Sequence, residues 1–279
     1  MSGVRIVADT ASDLPPDVAA AHGIELVPLT VRFGAEELVD RRDLTPADFW
    51  SRLATSSVLP ETAAPSPGAF EEAYRRAAAD GAEGVVCVTI SSALSATFEA
   101  ARLAADSVKD TVPVRVVDSR AVSMAEGTVA IAAAELAAAG RSLDEVAAGA
   151  EAMVPRTRTF AALDTLDNLR KGGRIGAAQA LLGSMLSIKP IIQVIGGKVE
   201  AESKQRTRSK SLRYLAAKVH EAAPVDHLTV LHGGAPDLDA LLDLLGDVCP
   251  RDQISVADVG AVIGTHAGPR VIGVTFAVR

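Results

Sequence analysis

Val85-Val86-Cys87-Val88-Thr89-Ile90 is an apolar run that leads directly into Ser91-Ser92-Ala93-Leu94-Ser95-Ala96-Thr97. A short run without polar alternation reads as a strand covered on both faces, as in a parallel sheet. The residues after it, about 93–105, predict a helix. Working outward, the same alternation recurs. Residues 4–8 form a strand ending at Asp9, followed by the polar turn Thr10-Ala11-Ser12-Asp13 and a helix start at Pro15-Pro16. Residues 24–31 read as a second strand, and 37–39 as the end of a small hairpin. Thr45-Pro46-Ala47-Asp48 opens a helix with Phe49 and Leu53, and Pro67-Gly68 opens another with Phe70, Tyr74 and Ala77 at helical spacing. Residues 114–117 form a strand ending in Asp118-Ser119, and alanine-rich helices cover about 124–139 and 143–153. The class is α/β: a mostly parallel sheet with flanking helices. Ligands of such sheets sit beyond the carboxyl ends of the strands. Polar turns after Ala8, Ile90 and Val117 fall at that edge.

The rhythm changes near Pro155-Arg156-Thr157, which predicts two domains, 1–155 and 156–279. In the second, residues 159–163 read as a strand and 166–171 as a short helix ended by Gly172-Gly173. Residues 188–195 and 198–201 form a hairpin around Gly196-Gly197. A helix over 209–222 precedes strand, helix, strand and strand at 227–231, 238–245, 254–257 and 271–277. This half is expected to be α+β with a mixed or antiparallel sheet.

Of the 279 residues, 48% are hydrophobic, 23% charged and only 3% aromatic, which implies a core of Ala, Val, Leu and Ile. A net charge of −7 argues against a general nucleic-acid binder, which needs a basic face. Cys87 and Cys249 match neither a disulfide framework nor a zinc site, and are expected to be buried and reduced. No metal or cofactor is expected. The first residues lack a signal-peptide pattern. No apolar stretch nears the roughly 20 residues of a membrane span, so the expected location is cytoplasmic. Walker A, HExxH, GxSxG and GxGxxG patterns are absent.

The hydroxyl cluster Ser91, Ser92, Ser95 with Thr89 and Thr97 either caps a helix or receives an anionic head group beside free N–H groups. Thr62-Ala63-Ala64-Pro65-Ser66-Pro67-Gly68 reads as a loop before a helix, and Thr62 can add a further hydroxyl. Gly260-Ala261-Val262-Ile263-Gly264-Thr265-His266-Ala267-Gly268-Pro269 reads as a glycine-punctuated loop. Its glycines permit close approach to a ligand, and His266 can donate to a carboxylate or move a proton. The basic run 204–210, with Arg206 and Arg208, either clamps a phosphate or acidic partner or is a solvated helix start. Asp9, Asp13 and Asp118 read as turn formers or hydrogen bonders at a domain junction.

These segments, in order, resemble the DegV family: Asp9-Thr10-Ala11-Ser12-Asp13-Leu14, Thr62-Ala63-Ala64-Pro65-Ser66-Pro67, Ile90 to Phe98, Val117-Asp118-Ser119, Leu166-Asp167-Asn168-Leu169-Arg170-Lys171-Gly172-Gly173-Arg174-Ile175, Lys189-Pro190, and Gly264-Thr265-His266-Ala267-Gly268-Pro269. The resemblance covers essentially the whole chain. It implies two domains with a long-chain fatty acid, such as palmitate or oleate, buried between them. It implies a head group met by Thr62, Ser91, Ser92, Ser95 and His266, with Ser95 ahead of Ser92. Arg206 or Arg208 would serve the head group or the surface of a separate fatty acid kinase, to which the lipid is presented. Departures from the family pattern fall at Ala96, at Ala63-Ala64 and at Arg270. The competing expectation is a stand-alone hydrolase or phosphotransferase built on the serines, His266 and Asp118. A carrier of another amphiphile is a third.

Overall fold

A computed structural model describes residues 3–181 and 188–279. The first half runs β1 (Val4–Asp9), α1 (Pro16–Ala21), β2 (Ile24–Val27), β3 (Thr30–Phe33), β4 (Glu36–Val39), α2 (Pro46–Thr55), β5 (Glu61–Ala63), α3 (Pro67–Ala79), β6 (Gly84–Thr89), α4 (Thr97–Val108), β7 (Val114–Asp118), α5 (Met124–Ala138) and α6 (Leu143–Met153). Four strands form a parallel sheet in the order β2-β1-β6-β7. Every residue of β6 is buried, because both faces of this sheet are covered. Val85 and Cys87 pack with Phe70 and Tyr74 of α3 and Ala101 of α4. Val86 and Val88 pack in a cluster with Val129 and Ala133 of α5 and Val146 of α6.

The predicted strand over 24–31 is two strands in different sheets. Pro28 cannot donate to a ladder, and the Leu29 N–H turns to the Thr10 hydroxyl at 3.2 Å. Beyond that break β3 pairs antiparallel with β4 and β5 in a small three-stranded sheet. Thr62, read as loop, therefore lies in a strand opposite Val31. The helix predicted from about residue 93 begins at Thr97, leaving 91–96 as a loop.

The second half adds β8 (Thr157–Ala162), α7 (Asp167–Lys171), β9 (Lys189–Ile195), β10 (Lys198–Gln205), α8 (Arg208–Ala222), β11 (Val225–His232), α9 (Leu238–Leu245), β12 (Ser255–Asp258), α10 (Ala261–Ala267) and β13 (Ile272–Val278). Its sheet is ordered β10-β9-β8-β13-β11-β12 and is antiparallel except for the β11–β12 pair. The expected mixed sheet is present. The segment read as a glycine loop is α10, a helix entered at Gly260.

The α5 helix lies between the two sheets and touches β1 and β6 on one side and β8, β11 and β13 on the other. Its residues from Met124 to Ala134 are all buried, and Ala and Gly dominate because two backbone layers close on it. One apolar cluster accordingly joins Ile6, Val86 and Val117 of the first sheet with Ile192, Leu231 and Ala277 of the second. Cys87 is buried and Cys249 is half-buried rather than buried, and both are free thiols. Among the described residues no helix is long and apolar enough to cross a membrane, and no cluster of metal-ligating side chains occurs.

Candidate functional site

Where the loop 91–96, β5 and α10 meet β9 and β10, the structure leaves a cavity of about 170 Å³. Its wall is mainly aliphatic, with Leu29, Ile90 and Leu94 from the first half and Ile192, Val194 and Ile263 from the second. Four polar side chains interrupt that wall: Thr62, Ser95, Arg174 and His266.

Thr62 Oγ1 lies 2.9 Å from His266 Nε2, joining β5 to α10 across 204 positions of sequence. Burial, reinforced by the Arg174 guanidinium, pushes the His266 pKa down to about 4. The ring is therefore neutral at pH 7 and carries one N–H. Its Nδ1 is buried without a hydrogen-bond partner. That nitrogen faces Gly172, where an added Cβ would lie 2.4 Å from it.

Ser95 sits in the cavity wall, with Oγ 2.8 Å from Thr97 Oγ1 and accepting from the Thr97 N–H at 3.3 Å. The other two serines brace the loop that presents it. Ser91 is buried, donates its hydroxyl to Gly197 O at 2.7 Å and accepts from the Ala93 N–H. Ser92 is held by Asp118, whose carboxylate accepts from its N–H at 3.1 Å and from its hydroxyl at 2.5 Å. Neither hydroxyl caps α4, which begins after Ala96 without a side-chain cap. Ala96 itself lines the cavity.

Arg174 was legible only as part of the box after Gly172-Gly173. In the structure it donates to Leu94 O at 3.1 Å and to Gly172 O at 2.7 Å, which brings a guanidinium to the cavity wall. Arg206 is exposed and Arg208 lies outside the cavity. Arg208 forms a forked pair with Asp237 at 2.7 and 3.0 Å and approaches Asp164 at 3.8 Å. Lys189 and Arg270 reach the same Asp164, at 2.8 and 3.6 Å.

The glycines of α10 approach protein, where the sequence suggested a ligand. A Cβ at Gly260 would lie 2.7 Å from Asp13 Oδ1, one at Gly264 2.5 Å from the Phe49 ring, and one at Gly268 3.0 Å from Asn168 Oδ1. The helix is thus seated by its backbone, and Val262, Ile263 and His266 line the cavity.

Behind the site lies a buried carboxyl group cluster. Asp9 accepts from the N–H groups of Ala11 at 2.9 Å and Ile90 at 2.8 Å, fixing the ends of β1 and β6. Asp13 accepts from the Gly260 N–H at 2.9 Å and the Ser123 hydroxyl at 2.5 Å, tying the turn after β1 to the start of α10 and to the residue before α5. Burial pushes both carboxyls up to about 7. It raises Asp40 also, and it raises Glu126 strongly, with the neighbouring Asp9 and Asp13 adding to the effect. Glu126 gave no sign in the sequence because it sits inside an alanine-rich helix.

A relay of serine, histidine and aspartate is not assembled. Asp118 holds Ser92, Ser95 meets Thr97, and His266 meets Thr62. The arrangement gathers two hydroxyls, an imidazole and a guanidinium in the wall of one otherwise aliphatic cavity.

Comparison with known proteins agrees with this fold. A sequence model of the DegV family, described as a family of uncharacterised proteins, matches residues 3–279. A DegV domain-containing protein of Streptomyces coelicolor is 43% identical, with 99% of each chain covered. A solved structure from Thermus thermophilus, described as fatty acid binding of a DegV family protein, superimposes with a TM-score of 0.89 at 33% identity over 99% of both chains. That of DegV from Bacillus subtilis, described as a fatty acid binding protein, gives 0.87 at 27% identity over 100% of both. With the ordered motifs, the parallel sheet joined to a mixed one and these full-length matches all in agreement, the chain belongs to the DegV family.

Proposed function

We propose that this protein binds a long-chain fatty acid, such as palmitate or oleate, and presents its carboxylate to a separate ATP-dependent kinase for acyl-phosphate formation. The observation that carries this reading is the Thr62–His266 pair set into an otherwise aliphatic cavity. A proton on His266 Nε2 would be donated to Thr62 Oγ1 and would leave the Thr62 hydroxyl free to donate to a carboxylate oxygen. Ser95 supplies a second hydroxyl, and Arg174 supplies a positive charge on the same wall. The apolar wall suits an acyl chain, whose burial is worth roughly 0.8 kcal/mol per CH₂. The Thermus and Bacillus relatives, described as fatty acid binding, support the same ligand class.

Transfer of a phosphoryl group is assigned to a partner because the sequence has no Walker A pattern. Arg206, exposed and away from the cavity, suits contact with an acidic kinase surface better than contact with the head group. The same reading treats 1–155 and 156–279 as two domains closing on the lipid, in a cytoplasmic protein.

The test is mass spectrometry of the purified protein, native and then after solvent extraction, followed by titration with oleate. One fatty acid per chain is expected. His266→Ala and Ser95→Ala are expected to weaken oleate by roughly tenfold or more each, the loss of one or two charge-assisted hydrogen bonds. A chain that arrives empty and takes up neither oleate nor palmitate would overturn the reading.

A further inference from the structure

The α10 helix supplies four cavity-lining residues, His266 among them, yet it is only seven residues long. So short a helix has little stability of its own, and its placement must come from what holds it. At its far end the Asn168 side chain donates to Thr265 O at 3.0 Å. Just before it, the Trp50 indole donates to Val259 O at 3.0 Å. At its start the Gly260 N–H donates to Asp13 Oδ1 at 2.9 Å.

Asp13 is a specialised anchor. It is 1% exposed and its backbone is left-handed, with φ 54°, a conformation that costs energy for a non-glycine residue. Its second oxygen accepts from Ser123 at 2.5 Å, and Ser123 too has a positive φ, 55°. The Arg41 guanidinium lies 3.6 Å away. Ser123 precedes α5 yet makes no side-chain cap there, its hydroxyl being committed to Asp13. Two strained residues and a buried carboxyl thus converge on one N–H at the entrance of the helix that carries the histidine. Gly260 has φ −73°, which any residue adopts, so its small size serves the 2.7 Å approach of Asp13 rather than the backbone.

We infer that Asp13 is a positioning residue for head-group recognition, setting the depth of α10 and through it the meeting of His266 with Thr62. The inference rests on the fatty-acid reading and names a residue outside the cavity that controls carboxylate selectivity. Asp13 lies in the turn after β1 and is not among the cavity-lining residues, so it acts through the placement of α10, whose His266 is the group that meets a carboxylate.

The experiment measures the affinities of hexadecanoate and its methyl ester for the full chain, by displacement of a fluorescent fatty acid. Wild-type protein is expected to prefer the acid. Asp13→Ala is expected to lose about tenfold or more of that preference while its affinity for the ester holds within about threefold. Asp13→Asn, whose amide oxygen can still accept from Gly260 while its NH₂ meets Ser123, is expected to restore most of the preference. Should Asp13→Ala fail to fold, Gly260→Ala carries the same expectation, because its Cβ displaces the carboxylate without backbone strain. A variant that keeps the wild-type preference, or that weakens acid and ester equally, would overturn the inference. A wild-type chain that binds both but prefers neither would overturn the head-group site on which it depends.

Discussion

Gly172 has φ −76° at the end of α7, so alanine fits its backbone. What does not fit is a Cβ 2.4 Å from His266 Nδ1. Gly172→Ala is therefore expected to lower Tm by only a few degrees, the compatible φ partly offsetting the displaced ring and its lost hydrogen bond. Oleate affinity is expected to fall by roughly tenfold as the ring is pushed off Thr62. Thermal melts and ligand titration on the same sample separate the two effects. A fall in Tm with unchanged affinity would assign this glycine to the fold alone. Thr62, Ser95 and His266 were legible because hydroxyls and an imidazole stand out in an aliphatic sequence and match an ordered family pattern. Gly172 and Arg174 were visible as letters of a motif but not as parts of the site, since only folding brings α7 against α10. Ser91 and Ser92 look like Ser95 in sequence, and what separates them is which partner each hydroxyl reaches.

At the scale of elements, the loop after β6 is a hydrogen-bonded platform. Ser91 ties it to the β9–β10 turn through Gly197 O at 2.7 Å, and Gly197 itself has φ +82° and no room for a Cβ beside Ser91 Oγ. Ser91→Ala removes that buried bond and leaves a carbonyl unmatched, which is expected to cost about 1–3 kcal/mol. A fall in Tm of roughly 3–10 °C should follow, with hydrogen exchange rising first in the 193–201 hairpin. Unchanged exchange there would mean that the hairpin is held by β8 pairing alone. Strand and helix order was largely readable, since β6 is uniformly apolar and the helices repeat at 3.6 residues. The exceptions have physical causes. Pro28 split one apolar run between two sheets. β5 is only three residues long and includes no alternating pattern. The glycines in and flanking α10 read as a loop, yet only Gly264 lies within the helix, where its low helix propensity is outweighed by close packing against Phe49 and Trp50, while Gly260 and Gly268 cap the ends.

For the whole molecule, the buried carboxyl cluster sets a pH dependence. Asp9 and Asp13 titrate near 7 in the folded protein, against about 4 when unfolded. The folded chain thus holds protons that the unfolded chain releases between those values. The stability they contribute is full below about pH 4 and is lost as pH rises through 7. Tm is expected to be higher at pH 5.5 than at pH 8. Glu126→Gln replaces the most perturbed carboxyl with a neutral amide of similar shape. It should raise Tm at pH 8 by several degrees and shrink the difference between the two pH values. An unchanged pH profile in that variant would exclude Glu126 from the effect. The clustering of Asp9, Asp13, Asp40 and Glu126 could not be read from a chain in which they are spread over 117 positions, although Asp9 and Asp13 stood out singly as junction residues.

The division of the cavity wall between the two halves has a consequence for the order of events during synthesis. Leu29, Thr62, Ile90 and Ser95 emerge early, and the two sheets of the first half, on or beside which they lie, can form before residue 157 is made. The opposite wall, with Ile192, Val194 and His266, emerges only afterwards. Until then the growing chain exposes one half of an apolar wall and lacks the imidazole that completes it. Completion of the cavity is therefore a late event, coupled to the docking of the second sheet against α5.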